Sequence, residues 1–404
     1  MARGLIYVYI GLIAGLDLAG PQAEDLTLQS RIREVVHDLG YPAQVGEVFL
    51  QKVQIWQQRC GVDLTQCTRG LDRTRSYSAE LAIARSILRL VSENLAADGQ
   101  TFELEEVLAR GKANCLGSVQ CFYVLAGSVG LSVIPIEVLQ LQSPGSLPIG
   151  SAHISCMVRL SDRRLVMLNA VPGYGLSGPF YLEDLFKRDG VSWRLSSSEN
   201  PLRLYRRIRP LDRSGLVAYI YNNRGVALVK AGLYDQAIDS YLKAIDLDAN
   251  NANVYNNLGI AYRNKGLLQN AIDCYGKAIS LYNEYAEVFN NRAVAYNTLG
   301  LSQQAILDCN QAIAICPRFS QAYNNRGNAH LRMGQYGLAL ADYCMAIRLD
   351  PRLAQAYTNR ALVYNLMGKQ ALAQRDLATA VRLDPGLRPK VAVISRRLAL
   401  DMAR

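Results

Sequence analysis

A 34-residue period runs five times through the second half of this 404-residue chain, in gapless segments beginning at Ala218, Ala252, Ala286, Ser320 and Ala354. The fourth residue of each segment is aromatic: Tyr221, Tyr255, Phe289, Tyr323 and Tyr357. The fifteenth is always glycine, from Gly232 to Gly368, and the twentieth and twenty-seventh are always alanine. A fixed period of this length dictates a stack of equivalent supersecondary units, each covering the apolar face of the next. Within a unit, Tyr221, Gly225 and Leu228 fall on one helical stripe, and Ala237, Tyr241 and Ala244 on another. The glycine between them supplies the left-handed residue that ends a helix. Pro317, Pro351 and Pro385 stop the second helix of the later units.

This signature resembles the tetratricopeptide repeat over residues 218–387. Leu228 and His330 replace the usual tyrosine, Cys309 replaces an aromatic, and the first two units have Ala249 and Asn283 in place of the closing proline. The resemblance implies an all-α solenoid that binds a protein or an extended peptide in a concave groove lined by the first helices. By that resemblance the fifth and sixth positions face or border the groove. They read Asn222 and Asn223, Asn256 and Asn257, Asn290 and Asn291, Asn324 and Asn325, then Thr358 and Asn359. Asparagine is a poor residue for a helix interior, and its amide offers both donors and acceptors to a peptide backbone of any sequence. Tandem duplication of one ancestral unit would produce the same columns without selection for binding. The clamp for a chaperone tail, which needs lysine at position five and asparagine at position nine, is not expected: only Asn328 fits.

The net charge of +10 is uneven. Residues 218–387 hold 16 basic and 12 acidic residues, and the tail 388–404 holds five and one. Arg203, Arg206, Arg207, Arg209 and Arg213 cluster before the repeats. With no aromatic platform beside it, this run reads as a solvated linker, and nucleic acid is not an expected partner. Residues 4–16 are uncharged behind Arg3. They read either as a secretion signal or as a buried or anchoring apolar segment, and are too short for a stable membrane span. Localisation stays open between export to the periplasm and the cytoplasm. The expected division is an apolar segment at 1–23, an α+β domain at 24–202, a basic linker at 203–217, five repeats at 218–387 and a capping helix at 388–404.

The chain has nine cysteines and no CxxC, so zinc is not expected; no other metal and no cofactor is expected either. Cys274, Cys309 and Cys344 fall among apolar positions of second helices, and Cys60 and Cys67 would pair only after export. In the first half, Gly111 and Asn114 precede an apolar helix, which puts Cys115 at a helix N-terminus, where a thiol pKa is lowered. There are three histidines. His37 reads as early in a helix and His330 belongs to the fourth repeat. His153 opens a strand-like run, and the turn 161–164 joins it to a second run, 165–171, that contains Asn169. A polar residue inside such a strand needs a hydrogen-bond partner.

With Ala113-Asn114-Cys115-Leu116 ahead of a long apolar helix, this set resembles the transglutaminase-like superfamily, a papain-related α+β fold, over roughly residues 75–190. Carried over, Cys115 is the nucleophile, His153 the general base and acid, and Asn169 the orienting residue, where many members have aspartate. The implied reaction is acyl transfer or amide hydrolysis through a thioester. A two-residue hairpin loop would put His153 and Asn169 on opposite faces, so the triad requires an odd loop or a bulge. The competing expectation is a catalytically inactive scaffold in which only the repeats act.

Overall fold

The computed structural model describes residues 28–73, 76–97, 101–141, 153–168, 176–196, 205–389 and 391–393. The apolar N-terminal segment and most of the expected capping helix lie outside them, and Pro385–Leu387 forms a short 3-10 turn at the end of the repeats. Two compact units emerge. The first takes in the N-terminal half, residues 205–224 and residues 243–249; the second takes in 225–242 and the array from Asn250 onward.

Six helices come first in the first unit: α1 (Leu28–Asp38), α2 (Ala43–Cys60), α3 (Leu64–Arg73), α4 (Tyr77–Asn94), α5 (Leu104–Arg110) and α6 (Cys115–Ser128). His37 therefore closes its helix, contrary to the sequence expectation. Local chemistry sets the ends. Ser76 accepts the Ala79 N–H at the start of α4, and Gly61 and Gly111 take left-handed φ at 64° and 63° after α2 and α5. Nearly every residue of α6 from Leu116 to Ala126 is buried, so this helix runs through the core. Gly117 lets α5 approach it: a Cβ there would stand 2.7 Å from Val107 Cγ2.

A seven-stranded antiparallel sheet follows, in the order β6-β5-β4-β3-β9-β8-β7. Its members are β3 (Ser132–Leu141), β4 (His153–Arg159), β5 (Leu165–Leu168), β6 (Leu176–Phe180), β7 (Phe186–Asp189), β8 (Ser192–Leu195) and β9 (Tyr205–Pro210), and Ala96–Ala97 with Lys112–Ala113 form a separate small pair, β1 and β2. A one-turn helix, α7 (Leu182–Leu185), precedes β7. Alternation sorts the sheet into two faces. Ile154, Cys156 and Val158 join the core around α6, while Ile136, Val138, Met157, Met167 and Ile208 form a second cluster with Phe180 and Phe186.

The stretch expected as a basic linker is structure. Residues 205–210 are an inner strand and a helix begins at Arg213. Arg207 and Arg209 are buried and paired: Arg207 with Asp189 at 2.6 Å and Ser192 at 2.8 Å, Arg209 with Glu137 and, through both oxygens, with Asp248. Arg213 pairs with Asp38. Strand pairing and acidic partners absorb charges that, along the sequence alone, read as solvated.

The repeats form five helix pairs: α8 (Arg213–Lys230) with α9 (Tyr234–Leu247), α10 (Ala252–Asn264) with α11 (Leu268–Leu281), α12 (Ala286–Thr298) with α13 (Ser302–Ile315), α14 (Ser320–Arg332) with α15 (Tyr336–Leu349), and α16 (Ala354–Leu366) with α17 (Gln370–Leu383). The five turn glycines take φ between 71° and 81°. Size complementarity fixes each pair. Gly225, Gly259 and Gly327 lie under the rings of Tyr241, Tyr275 and Tyr343, where a Cβ would come within 2.4, 2.6 and 2.7 Å of the ring. In the third and fifth units alanine faces a smaller side chain, Ala293 with Cys309 and Ala361 with Leu377.

Candidate functional site

The asparagine columns lock together. The position-six amide of one unit donates to the position-five carbonyl of the unit before: Asn291 to Asn256 at 3.0 Å, Asn325 to Asn290 at 2.8 Å, Asn359 to Asn324 at 3.0 Å. Asn359 also reaches Asn328, which accepts the Tyr343 hydroxyl. In the first pair, Asn222 donates to Asn223 at 3.4 Å. The position-five residues Asn222, Asn256, Asn290 and Asn324 are buried, whereas Asn223, Asn257, Asn291, Asn325 and Asn359 are half-buried. The sequence reading offered all of these amides to a ligand. In the structure the inner column is committed to the stack, and the outer column is half-buried, with the amides of Asn291, Asn325 and Asn359 donating inward.

A second periodic feature escaped the sequence reading. Position seven and position 23 pair within the last three units, each guanidinium gripping both carboxylate oxygens: Arg292 with Asp308 at 2.7 and 2.8 Å, Arg326 with Asp342 at 2.9 and 2.7 Å, Arg360 with Asp376 at 2.7 and 2.9 Å. The carboxylates are buried. The side-chain hydrogen bonds to these aspartates raise the three arginine pKa values further. The signal available in sequence was co-occurrence at i and i+16. Unit one has Arg224 but Ser240, and unit two has Leu258 and Cys274. Arg224, lacking an aspartate in its own hairpin, grips Glu103 instead.

In the first unit, Cys115 is the first residue of α6, and the Asn114 side chain accepts the Gly117 N–H at 3.0 Å as the helix cap. The segment before α5 holds this corner: Asn114 N–H donates to Thr101 O at 2.7 Å, and Gln120 Nε2 to Phe102 O at 2.8 Å. The Tyr41 hydroxyl donates to Gln120 Oε1 at 2.8 Å and accepts the Leu104 N–H at 3.1 Å. The helix-terminus argument predicted a lowered thiol pKa. Burial outweighs it and pushes the Cys115 thiol up, against the pull of backbone hydrogen bonds from Ile154, Leu116 and Cys115 itself. Cys121 and Cys156 lie deeper, and burial raises them to about 12 in the case of Cys121 and further still for Cys156. All nine cysteines are free, Cys60 and Cys67 included.

Cys115 packs against the core cluster that includes Ile154, Cys156 and Val158 of β4, the strand that His153 opens. In the ladder His153 stands opposite Val138, in the row of Ser155 and Met157, whereas α6 packs on the row of Ile154, Cys156 and Val158. β4 and β5 are joined by three residues, Ser161–Arg163, with Arg163 at φ 69° and Met157 opposite Met167. The connection is thus an odd one of three residues, and it keeps the His153 row in line with Met167, on the sheet face away from the row that α6 packs on; Asn169 lies outside the described residues. Among the described residues, no group of three or more histidine, cysteine or acidic side chains is placed to hold a metal.

Comparison with known proteins bears on the repeats. The family described as TPR repeat matches residues 225–266, and the family described as tetratricopeptide repeat matches 252–285, 286–319, 320–353 and 354–387. No curated protein matches the sequence. Similar solved structures include MamA, 27% identical over 40% of this chain and 95% of that one, with a TM-score of 0.36. YrrB, described as a TPR protein with an unusual peptide-binding site, is 22% identical over 45% and 92%, with a TM-score of 0.36. A thermophilic TPR protein from Thermus thermophilus is 20% identical over 45% and 99%, with a TM-score of 0.41. The family matches all lie within residues 225–387. The C-terminal region of this protein is a tetratricopeptide repeat array.

Proposed function

We propose that the array holds an extended segment of a partner protein along its outer asparagine column. The observation that carries this reading is the set of interlocked amides, Asn256 with Asn291, Asn290 with Asn325 and Asn324 with Asn359. The inner residue fixes the rotamer of the outer one, so a half-buried amide is presented at the same place in successive units without further ordering cost. An amide reads a main chain through N–H and C=O together, so recognition by this column tolerates varied sequence. Screening a library of extended peptides by fluorescence anisotropy tests it. The double variant Asn291→Ala/Asn325→Ala should weaken the best binder by about tenfold or more, at about 1 kcal/mol per lost hydrogen bond. Unchanged affinity would remove the asparagines from the binding surface.

A second reading gives the first unit cysteine-dependent acyl-transfer chemistry, with Cys115 as nucleophile, His153 as base and Asn169 as its orienting partner. It is supported by the capped N-terminal position of Cys115, at the start of a core helix that packs on the strand His153 opens. A thiol held above its ordinary pKa is neutral at pH 7 and needs a base to become a nucleophile. His153→Ala should then slow alkylation of Cys115 at pH 7 by at least tenfold while leaving the fold intact by circular dichroism. An unaltered rate assigns the first unit to scaffolding.

A further inference from the structure

We propose that the turn edge of the array is a docking surface for an anionic lipid bilayer. Each helix pair reverses at its turn glycine, and equivalent hairpins stack with equivalent orientation, so the turns line one edge of the solenoid. Two properties coincide there. The first is apolar exposure. Leu233, Leu267 and Leu301 at position sixteen are 46%, 43% and 40% exposed, and Leu299, Met333 and Met367 at position fourteen are 44%, 44% and 40% exposed. Turn residues of a soluble stack are ordinarily small or polar, and a row of large apolar side chains marks a surface meant to be covered.

The second property is charge. Positions 12 to 18 of the five units carry Lys230, Arg263, Lys265, Arg332 and Lys369 against one acid, Asp235, which Lys265 grips. The rest of the array has eleven bases and eleven acids. The whole positive excess of residues 218–387 therefore sits on the edge that also exposes leucine and methionine. Neither the buried arginine–aspartate pairs nor the asparagine columns contribute to it.

Apolar knobs flanked by Lys and Arg match the outer zone of an anionic bilayer. Leucine and methionine enter the boundary between headgroups and acyl chains, and the cations meet the headgroup phosphates within a Debye length. A protein partner would have to supply an acidic rim around an apolar strip that repeats with every hairpin; a bilayer supplies both everywhere along the edge. No helix among the described residues is long and apolar enough to cross a membrane, so the association is peripheral.

Co-sedimentation of the full chain tests this, using vesicles of phosphatidylcholine alone and vesicles containing roughly one-third phosphatidylglycerol. Pelleting with the anionic vesicles only, released by about 0.5 M salt, is expected. Leu267→Glu/Leu301→Glu/Met333→Glu and Lys230→Glu/Arg332→Glu/Lys369→Glu should each lower the bound fraction at least tenfold while keeping the wild-type circular dichroism spectrum. Asn291→Ala/Asn325→Ala should bind vesicles as wild type does, which separates this surface from the peptide column. Three results would overturn the proposal: no pelleting with anionic vesicles, equal pelleting of folded edge variants, or a dimer in solution that the leucine variant abolishes.

Discussion

At the scale of single residues, the small side chains at position eight decide the fit of each hairpin. Gly259→Ala puts a methyl 2.6 Å from the Tyr275 ring, and the ring is itself fully buried against its neighbours. The expected cost is about 1–3 kcal/mol, as for other overpacked cores, read as a lower denaturation midpoint with an unchanged slope. Paired with Tyr275→Leu, the same alanine should cost much less, since Ala361 facing Leu377 already exists in the fifth unit. The same scale governs the thiols. Because burial raises the Cys115 pKa, its alkylation should be slow at pH 6 and climb steadily as pH rises past 9, whereas the deeper Cys121 should resist until the chain unfolds. Mass-spectrometric mapping of labelled peptides across pH reads both. These environments were only half legible in sequence. The helix start at Cys115 followed from Asn114 and the apolar run after it, but the density of packing that reverses the pKa direction depends on α5 and β4, which no local pattern places there.

Among elements, the arginine–aspartate pairs grade the array. Units three to five each carry a gripped guanidinium; unit two carries none. Asp342→Ala leaves Arg326 half-buried without its acid and should cost about 2–4 kcal/mol, below the range for a fully buried pair because the guanidinium keeps some contact with water. Thermal denaturation checks the value. Hydrogen exchange should open α10 and α11 before the hairpins of units three to five in the wild-type chain. Helix number, length and order were readable, since a repeated column of glycine and alanine at fixed positions permits few alternatives. The partners of the arginines were not, because position seven and position 23 are far apart in the helical period and meet only when the hairpin closes. Nor was β9: five arginines in eleven residues look solvated until Glu137, Asp248, Asp189 and Asp38 are seen around three of them.

For the whole molecule, the two tryptophans, Trp56 and Trp193, both belong to the first unit, while most helix lies in the array. Tryptophan fluorescence therefore reports the first unit, whereas far-ultraviolet circular dichroism sums both units and weights the array more heavily. Arg209→Ala strands Glu137, which is fully buried, and Asp248 together. It should move the fluorescence transition to lower denaturant by an amount worth about 3–5 kcal/mol and shift the circular dichroism transition far less. Coincident shifts would mean that the chain unfolds as one cooperative body. The α+β character of this unit was legible from its alternating strands and apolar helices, but its sheet order was not, because β9 pairs with β3 across five intervening strands.

The matched glycine–tyrosine and alanine–cysteine contacts mean that single helices cannot be exchanged freely between hairpins of the two kinds. A chimera that grafts the first helix of unit three onto the second helix of unit two would set Ala293 against Tyr275, and the reverse graft would leave a void between Gly259 and Cys309. Recombination inside a hairpin is thereby penalised wherever a glycine–tyrosine unit meets an alanine unit, and recombination between hairpins is not, so across that divide the array lengthens or shortens in whole steps.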